Sequence, residues 1–206
     1  MLDKITMSHF DHMANSWDKS DVRQRISQKA AKAIAENMQL SPDMEIMDFG
    51  VGTGLLGFEI AKKVKQVYRV DTSLGMIEQL KAKNTDELNI IPFHQDIIKN
   101  PINRKFHGVI SSMTLHHVSN LVNFFSIIHQ NLLPGGFIAI ADLEKEDGSF
   151  HRNNDSVFHF GFDKNKLQQL ILNCGFKDIE IKKIHVISKL NRDFGVFLLT
   201  AIKKIQ

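Results

Sequence analysis

The feature that most constrains this chain is the stretch Glu45 to Gly57, which reads EIMDFGVGTGLLG. A short apolar run leads into closely spaced glycines, and apolar residues then recur at helical spacing. Because glycine has no Cβ and tolerates positive φ, such a turn can bend sharply and bring its backbone N–H groups against a ligand. The start of the following helix adds N–H donors and a partial positive charge. The stretch therefore predicts a strand, a tight turn and a helix that bind the carboxylate or phosphate end of a nucleotide-like cofactor.

The glycine turn satisfies two cofactor patterns at once. Residues 52–57 match GxGxxG, the dinucleotide pattern, and Asp71 lies at about the distance expected of the acid that binds the ribose of NAD. One interpretation is therefore an NAD-dependent oxidoreductase. The overlapping pattern is an acid followed by GxGxG, and it consists of Asp48, Gly50, Gly52 and Gly54. It resembles motif I of the class I, Rossmann-like S-adenosylmethionine-dependent methyltransferases, and the resemblance implies that these residues bind the methionine end of that cofactor.

Composition bounds the size and the environment of the protein. A chain of 206 residues with 43% hydrophobic content suffices for one domain with a sizeable core and is too short for two. The net charge of +3 comes from scattered Lys and Arg, so nucleic acid is not indicated as a partner. Cys174 is the only cysteine, which excludes an internal disulfide and a thiolate zinc cluster, and we predict no metal site. With no signal-peptide core and no apolar run of about 18 residues, we expect a cytoplasmic protein without a membrane span.

Helices and strands alternate along the chain. An amphipathic helix is predicted over 21–38, before the first strand. Apolar runs then predict strands over 66–70, 89–94, 106–112 and 137–141, with helices between them and a further helix over 162–173. Two strand patterns close the chain, 176–188 and 195–202. Because their connection is too short for a crossover between parallel strands, this last pair must be antiparallel.

Further landmarks of the methyltransferase resemblance follow in chain order. Asp71 ends the second predicted strand, and the resemblance implies that its carboxylate binds the ribose, with Thr72 and Met76 in the same cofactor site. Asp96 follows the third strand and resembles the acid that accepts the adenine amino group, while the backbone of Ile97 meets the adenine ring. Dinucleotide enzymes have no general need for an acid at this point. Asp96 therefore separates the two interpretations.

The segment after the fourth strand, VISSMTLHHV, looks like the VxSxxLHHV region of the same methyltransferases. The resemblance implies that Ser112 meets the methionine portion of the cofactor and that His117 approaches the substrate. A polar loop after the fifth strand adds His151 and His159 on the substrate side. These three histidines are candidates for a base, which is required only if the acceptor must lose a proton. His116 is more simply explained as a structural histidine.

Two more strings complete the resemblance. FDHMANSWD looks like the FDxxAxxWD opening of many small-molecule methyltransferases, and LLPGG looks like their LxPGG turn. Phe10, Met13 and Trp17 are spaced as on one helix face, and they either pack in the core or form a lid over cofactor and substrate.

The combined prediction is an α/β three-layer sandwich. It has a mostly parallel seven-stranded sheet, a last strand that is antiparallel, and an N-terminal helical cap. We expect residues 1–40 to form this cap or lid and residues 41–206 to form a single Rossmann-like methyltransferase domain. The expected function is transfer of a methyl group from S-adenosylmethionine to a small-molecule acceptor, with S-adenosylhomocysteine as product. The alternatives are an NAD-dependent oxidoreductase and a non-catalytic S-adenosylmethionine-binding subunit. The patterns fix neither the acceptor nor the oligomeric state.

Overall fold

The computed structural model of the chain describes residues 10–84, 90–189 and 191–205. Its strands are β1 Glu45–Phe49, β2 Gln66–Asp71, β3 Ile90–His94, β4 Phe106–Ser112, β5 Leu132–Leu143, β6 Phe176–Lys189 and β7 Arg192–Lys203. They form one seven-stranded sheet in the order β3-β2-β1-β4-β5-β7-β6. Strands β1 to β5 pair in parallel, whereas β7 is antiparallel to both β5 and β6. The predicted α/β fold with an antiparallel last strand is confirmed.

Helices cover both faces of the sheet. They are α1 Asp21–Asn37, α2 Leu55–Ala61, α3 Leu74–Lys83, α4 Leu121–Asn131 and α5 Lys164–Asn173, with 3₁₀ helices at Ala14–Lys19 and Leu115–His117. A polar side chain accepts a backbone hydrogen bond at the start of four of them, and these caps are Ser20, Ser73, Asn120 and Asp163. Such caps satisfy N–H groups that have no partner within the helix, which is why the helices begin where they do.

The core divides into two layers, one on each side of the sheet. Successive residues of a strand point to opposite faces, so Ile46 belongs to the apolar cluster that contains residues of α1 and α2, while Met47 belongs to the cluster that contains residues of α4 and α5. Both side chains are fully buried. Since β1 is covered on both faces, the ligand-accessible part of this strand is its carboxyl end, where the glycine turn begins.

Helix α1 is part of this core. Ala30 and Ile34 of α1 are fully buried and pack with Ile46 and Ile60 in the same apolar cluster. The predicted cap covers residues 1–40, of which residues 1–9 lie outside the described residues. None of the helices in the described part of the chain combines the length and apolarity needed to cross a bilayer.

The PGG segment, residues 134–136, lies within a strand and not in the predicted turn between a helix and a strand. The sequence predicts a helix that continues to Pro134, but α4 ends at Asn131 and β5 begins at Leu132. Leu132 pairs with Phe106, the register then shifts, and Phe137 pairs with Gly108. Pairing of Leu132 with β4 ends the helix early, and the PGG residues form an irregularity inside the strand instead of a separate turn.

Candidate functional site

The glycine turn, Gly50 to Gly54, is closely packed against its surroundings. Gly50, Gly52 and Gly54 have φ of +66°, +54° and +94°, a region that other residues rarely adopt. A Cβ at Gly50 would lie 2.1 Å from Cγ2 of Thr114. The Gly50 N–H donates to the Val70 carbonyl at 2.8 Å, which attaches the turn to the end of β2. The conformation of the turn therefore depends on glycine at these positions.

Asp71 joins the glycine turn to the start of α3. Its Oδ2 accepts the Gly52 N–H at 2.7 Å and its Oδ1 accepts the Ser73 N–H at 2.9 Å. Burial raises the pKa of the Asp71 carboxyl, although the N–H groups of Ser73 and Gly52 oppose this shift. A carboxylate has about four lone-pair positions, so two backbone bonds leave capacity for a further donor. The position suits the predicted contact with ribose hydroxyls.

Asp48 lies beneath the turn, next to a residue that sequence reasoning did not single out. It pairs in register with Arg69 of β2, and both side chains are buried. A Cβ at Gly57 would lie 2.5 Å from Oδ2 of Asp48 and 2.6 Å from Nε of Arg69, so both groups converge on this glycine. Burial raises the pKa of Asp48 to about 7, and burial also lowers the pKa of Arg69 to about 10.

The two buried charges lack hydrogen-bond partners in the described part of the chain. This holds for both oxygens of Asp48 and for all three guanidinium nitrogens of Arg69. The guanidinium carbon of Arg69 stacks 4.0 Å from the ring centre of Phe58. Asp48, predicted to bind the cofactor, is thus a buried residue whose carboxyl group lies beside Arg69 and Gly57.

The predicted adenine side contains Asp96, Ile97, Met76 and Thr72. Oδ1 of Asp96 accepts the Ile98 N–H at 3.0 Å, and Oδ2 forms an ion pair of 3.2 Å with Lys99. The side chain of Ile97 is buried in the core, which leaves its backbone for a ligand contact. Met76 is buried, and its sulfur lies 4.0 Å from the place of a Cβ on Gly52. The Thr72 carbonyl contacts Nε2 of His94 at 2.9 Å.

The end of β4 supplies a polar atom with no partner. The Ser112 hydroxyl is buried and has no hydrogen-bond partner in the described structure. One residue beyond Met113, Oγ1 of Thr114 donates to the Gly50 carbonyl at 3.1 Å. The strand end is thereby joined to the glycine turn. Met113 itself has φ of +57°, a strained conformation for a residue other than glycine and one that concentrates at functional sites.

The segment of residues 10–19, which we call the lid segment, lies against the glycine turn and α3. Asp11 accepts the Gly75 N–H at 3.0 Å at the start of α3. Asp18 accepts the Thr53 hydroxyl and pairs with Lys83 of α3 at 2.5 Å. The indole Nε1 of Trp17 lies 3.6 Å from the place of a Cβ on Gly52. From the sequence, the aromatic residues of this segment were expected either to form a lid or to pack in the core. The contacts of Asp11 and Asp18, which attach the segment to α3 and to the glycine turn, were not predicted.

The substrate side contains a histidine cluster of His116, His117 and His151. The ring centres of His116 and His117 are 4.1 Å apart, and those of His116 and His151 are 4.8 Å apart. Phe10 of the lid segment contacts the His117 ring edge to face at 5.3 Å. His159 is not part of this cluster. Its Nε2 lies 2.9 Å from the carbonyl oxygen of Val118, the residue after His117. The structure thus brings together two of the three predicted histidines, His117 and His151. The third member of the cluster is His116, for which the sequence favours a structural role.

Burial keeps the predicted histidines of the cluster neutral at physiological pH. Burial, with a smaller contribution from the neighbouring His116, lowers the pKa of His117 to about 3, while the Ser156 carbonyl acts in the opposite direction. Burial likewise lowers the pKa of His151 to about 4. Nε2 of His151 is buried without a hydrogen-bond partner in the described residues. Among these residues no group of three or more His, Cys, Asp and Glu side chains is arranged to hold a metal ion.

S-adenosylmethionine fits the residues gathered at this edge of the sheet. The fit rests on a turn whose positive φ angles exclude side chains, and on the unpartnered hydroxyl of Ser112 beside it. Asp71 supplies the acceptor for ribose hydroxyls, and Asp96 lies at the end of the next strand. The carboxyl ends of β1, β2, β3 and β4 therefore present the donor and acceptor types that the amino-acid end, the ribose and the adenine need.

Comparison with known proteins finds methyltransferases. Residues 46–136 match a family model described as a methyltransferase domain. The chain is 27% identical over 156 residues to an uncharacterized methyltransferase of Schizosaccharomyces pombe, a match that covers 67% of this chain and 55% of that protein. The chain thus spans about half the length of this curated relative.

Two solved structures share the fold over nearly the whole chain. One comes from the complex of the Haloferax volcanii Trm112 methyltransferase activator with a methyltransferase. It superimposes with a TM-score of 0.77 at 18% sequence identity, and the match covers 95% of this chain and 98% of the other chain. The other is the DhpI–SAH complex, with a TM-score of 0.76 and 16% identity, covering 97% of this chain and 96% of its own. At these identities the matches establish the fold.

Proposed function

We propose that this protein is a class I, S-adenosylmethionine-dependent methyltransferase that transfers a methyl group to a small-molecule acceptor, in keeping with the methyltransferase family match over residues 46–136 and with the shared fold. The observation that carries the proposal is the hydrogen bond between the Gly52 N–H and Asp71 at 2.7 Å. This bond joins the glycine turn directly to the acid that is predicted to bind the ribose. S-adenosylmethionine supplies an electrophilic methyl group on its sulfonium sulfur. The comparisons favour this cofactor over the dinucleotide that GxGxxG also allows.

The residues divide into three roles under this proposal. The glycine turn binds the amino-acid end, Asp71 and Thr72 bind the ribose, and Asp96, Ile97 and Met76 surround the adenine. Ser112 hydrogen-bonds near the reacting end of the cofactor, and Asp48 orients the turn from below. His117, His151 and His159 line the acceptor side. The protein's contribution is to hold donor and acceptor aligned and sheltered from water.

Formation of S-adenosylhomocysteine tests the proposal. The purified chain is incubated with S-adenosylmethionine and a panel of small hydroxyl, amine, thiol and carboxylate compounds. We expect acceptor-dependent release of S-adenosylhomocysteine. Tight cofactor binding with no turnover of any compound would instead favour the non-catalytic cofactor-binding subunit. The cytoplasmic location expected from the single cysteine stays a prediction.

In this proposal the lid segment, which belongs to the cap predicted over residues 1–40, closes over the cofactor. The supporting contacts are those of Asp11 and Asp18 with α3 and the glycine turn. Because Trp17 lies over Gly52, a molecule seated on the turn must stack against the indole or displace it.

Trp17 should therefore report cofactor binding. It is the only tryptophan of the chain, so the intrinsic fluorescence comes from the lid segment. We expect S-adenosylhomocysteine to change this emission with saturation. The Asp18→Asn variant should release S-adenosylhomocysteine about fivefold faster, since a lost hydrogen bond costs about 1 kcal/mol. Asp193→Asn, which alters an exposed contact with Ser188 on β6, is the matched control. Unaltered emission at saturating ligand would contradict the lid.

A further inference from the structure

A buried carboxylate and imidazole pair lies at the centre of the acceptor side. Asp142 is the penultimate residue of β5, and His116 lies in the 3₁₀ helix that follows β4. Nδ1 of His116 lies 2.7 Å from Oδ1 of Asp142, and the side chains are 1% and 0% exposed. Oδ2 of Asp142 also accepts the His116 backbone N–H at 3.2 Å, and Oδ1 accepts that of Leu143 at 2.7 Å. Asp142 thus holds both the ring and the backbone of His116.

The hydrogen bonds around Asp142 fix the protonation of the pair. Burial alone would raise the pKa of Asp142, but His116 and the two backbone N–H groups outweigh burial and lower this pKa. The carboxylate is therefore ionised and acts only as an acceptor. It follows that Nδ1 of His116 carries the proton it shares with Asp142. In the neutral ring, Nε2 then holds a lone pair.

Nε2 of His116 is buried and has no hydrogen-bond partner in the described structure. An unpaired polar atom in such a place costs stability unless a ligand satisfies it. The ring centres of His117 and His151 lie 4.1 and 4.8 Å from that of His116, and the charge of Lys189 acts on His151. A hydrogen-bond donor on a ligand would satisfy this atom.

His117, whose ring centre lies 4.1 Å from that of His116, adds a second lone pair to the histidine cluster. Its Nδ1 lies 2.7 Å from the Ser156 carbonyl, which can only accept, so the proton of the neutral ring is on Nδ1. Nε2 of His117 is then also an acceptor. A carboxylate or phosphate oxygen would meet these lone pairs without a donor, whereas a hydroxyl group would donate to one of them.

We propose that Asp142 and His116 form a base dyad that accepts the proton of a hydroxyl group on the methyl acceptor. The inference rests on the proposed methyl transfer and names its substrate class. The O–H bond breaks, its electron pair stays on oxygen as the nucleophile, and the proton bonds to Nε2 of His116. The imidazolium that forms keeps its Nδ1 hydrogen bond to Asp142, whose negative charge stabilises it. His116 is then the catalytic residue and Asp142 its positioning residue.

The protonation state of His116 tests the dyad without any acceptor. Histidine nitrogens labelled with ¹⁵N are observed by NMR at pH 7, and the His116→Asn variant identifies the His116 signals. We expect a neutral ring with the proton on Nδ1 and a bare Nε2. An imidazolium or an Nε2–H ring in the wild-type protein would overturn the proposal.

Rates of methyl transfer provide a second test of the base dyad. His116→Asn should slow methylation of hydroxyl acceptors by roughly 100-fold or more, in the range expected for general base catalysis. Asp142→Asn keeps the shape of the buried side chain and should slow it as well, while moving the acid limb of the pH–rate profile to lower pH. His185→Gln on the outer strand β6 serves as the control. Preferred methylation of carboxylates, or hydroxyl methylation unchanged by either variant, would contradict the dyad.

The affinity for the cofactor distinguishes failure of the base dyad from failure of the proposed methyl transfer. The His116→Asn variant should bind S-adenosylmethionine as tightly as the wild-type protein. If the wild-type protein fails to bind S-adenosylmethionine, the proposed function fails. If both proteins bind it and His116 has the wrong protonation state, only the dyad fails.

Discussion

Replacing Asp71 with alanine should weaken binding of S-adenosylmethionine by about 5- to 150-fold. This range corresponds to about 1 to 3 kcal/mol, the usual worth of hydrogen bonds that involve a charged group. The substitution removes the acceptor for the ribose hydroxyls. It also releases the Gly52 and Ser73 N–H groups, which Asp71 holds at 2.7 and 2.9 Å. Isothermal titration calorimetry at fixed pH measures the change.

The matched control is Asp43→Ala. Asp43 is an exposed acid before β1 whose partner is the neighbouring Ser41, so its loss changes the charge of the protein by the same amount. Its affinity for S-adenosylmethionine should equal that of the wild-type protein. Unchanged affinity in a folded Asp71→Ala protein would rule out the ribose role.

Replacing Arg69 with methionine should lower the free energy of unfolding by about 3 to 5 kcal/mol. Arg69 and Asp48 are neighbouring buried groups of opposite charge, and removal of one such charge leaves the other without compensation, which costs about this much in buried ion pairs. The remaining group is Asp48, which is 1% exposed and has no hydrogen-bond partner in the described part of the chain. Denaturant unfolding at several pH values measures the loss, which should grow as the pH rises above about 7, because Arg69 lowers the pKa of Asp48 and its removal raises the pH at which this buried carboxyl ionises.

The double variant with Asp48→Leu and Arg69→Met is the control for this effect. Both charges are then gone and the volume is roughly conserved, so much of the lost stability should return. If the double variant is as unstable as the sum of the two single variants, the two side chains do not interact in the way described. Equal stability of Arg69→Met and the wild-type protein would lead to the same conclusion.

The main elements of the fold could be predicted because their patterns are local. The strand, turn and helix around the glycine turn follow from spacing within a few residues, and so does the cap that Ser73 provides for α3. The antiparallel final pair followed from a connection too short for a crossover. The start of β5 could not be found in this way, because pairing of Leu132 with the distant Phe106 decides where α4 ends.

The candidate site was predicted where a motif marks it and missed where only packing creates it. Gly50, Asp71 and Asp96 lie on strand ends that the motifs identify. Arg69 looks like an ordinary strand residue in the sequence, and only the register with β1 places it against Asp48. His116 likewise became a candidate base only because β5 brings Asp142 to its Nδ1. No short pattern encodes either pairing.

The measurement that most directly tests the methyltransferase account is a calorimetric titration of the full chain with S-adenosylmethionine and, in parallel, with NADH. The glycine turn by its pattern alone accepts either cofactor. The account predicts saturable one-site binding of S-adenosylmethionine that Asp71→Ala weakens, and no saturable binding of NADH over the same concentration range. Binding of NADH without binding of S-adenosylmethionine would contradict it.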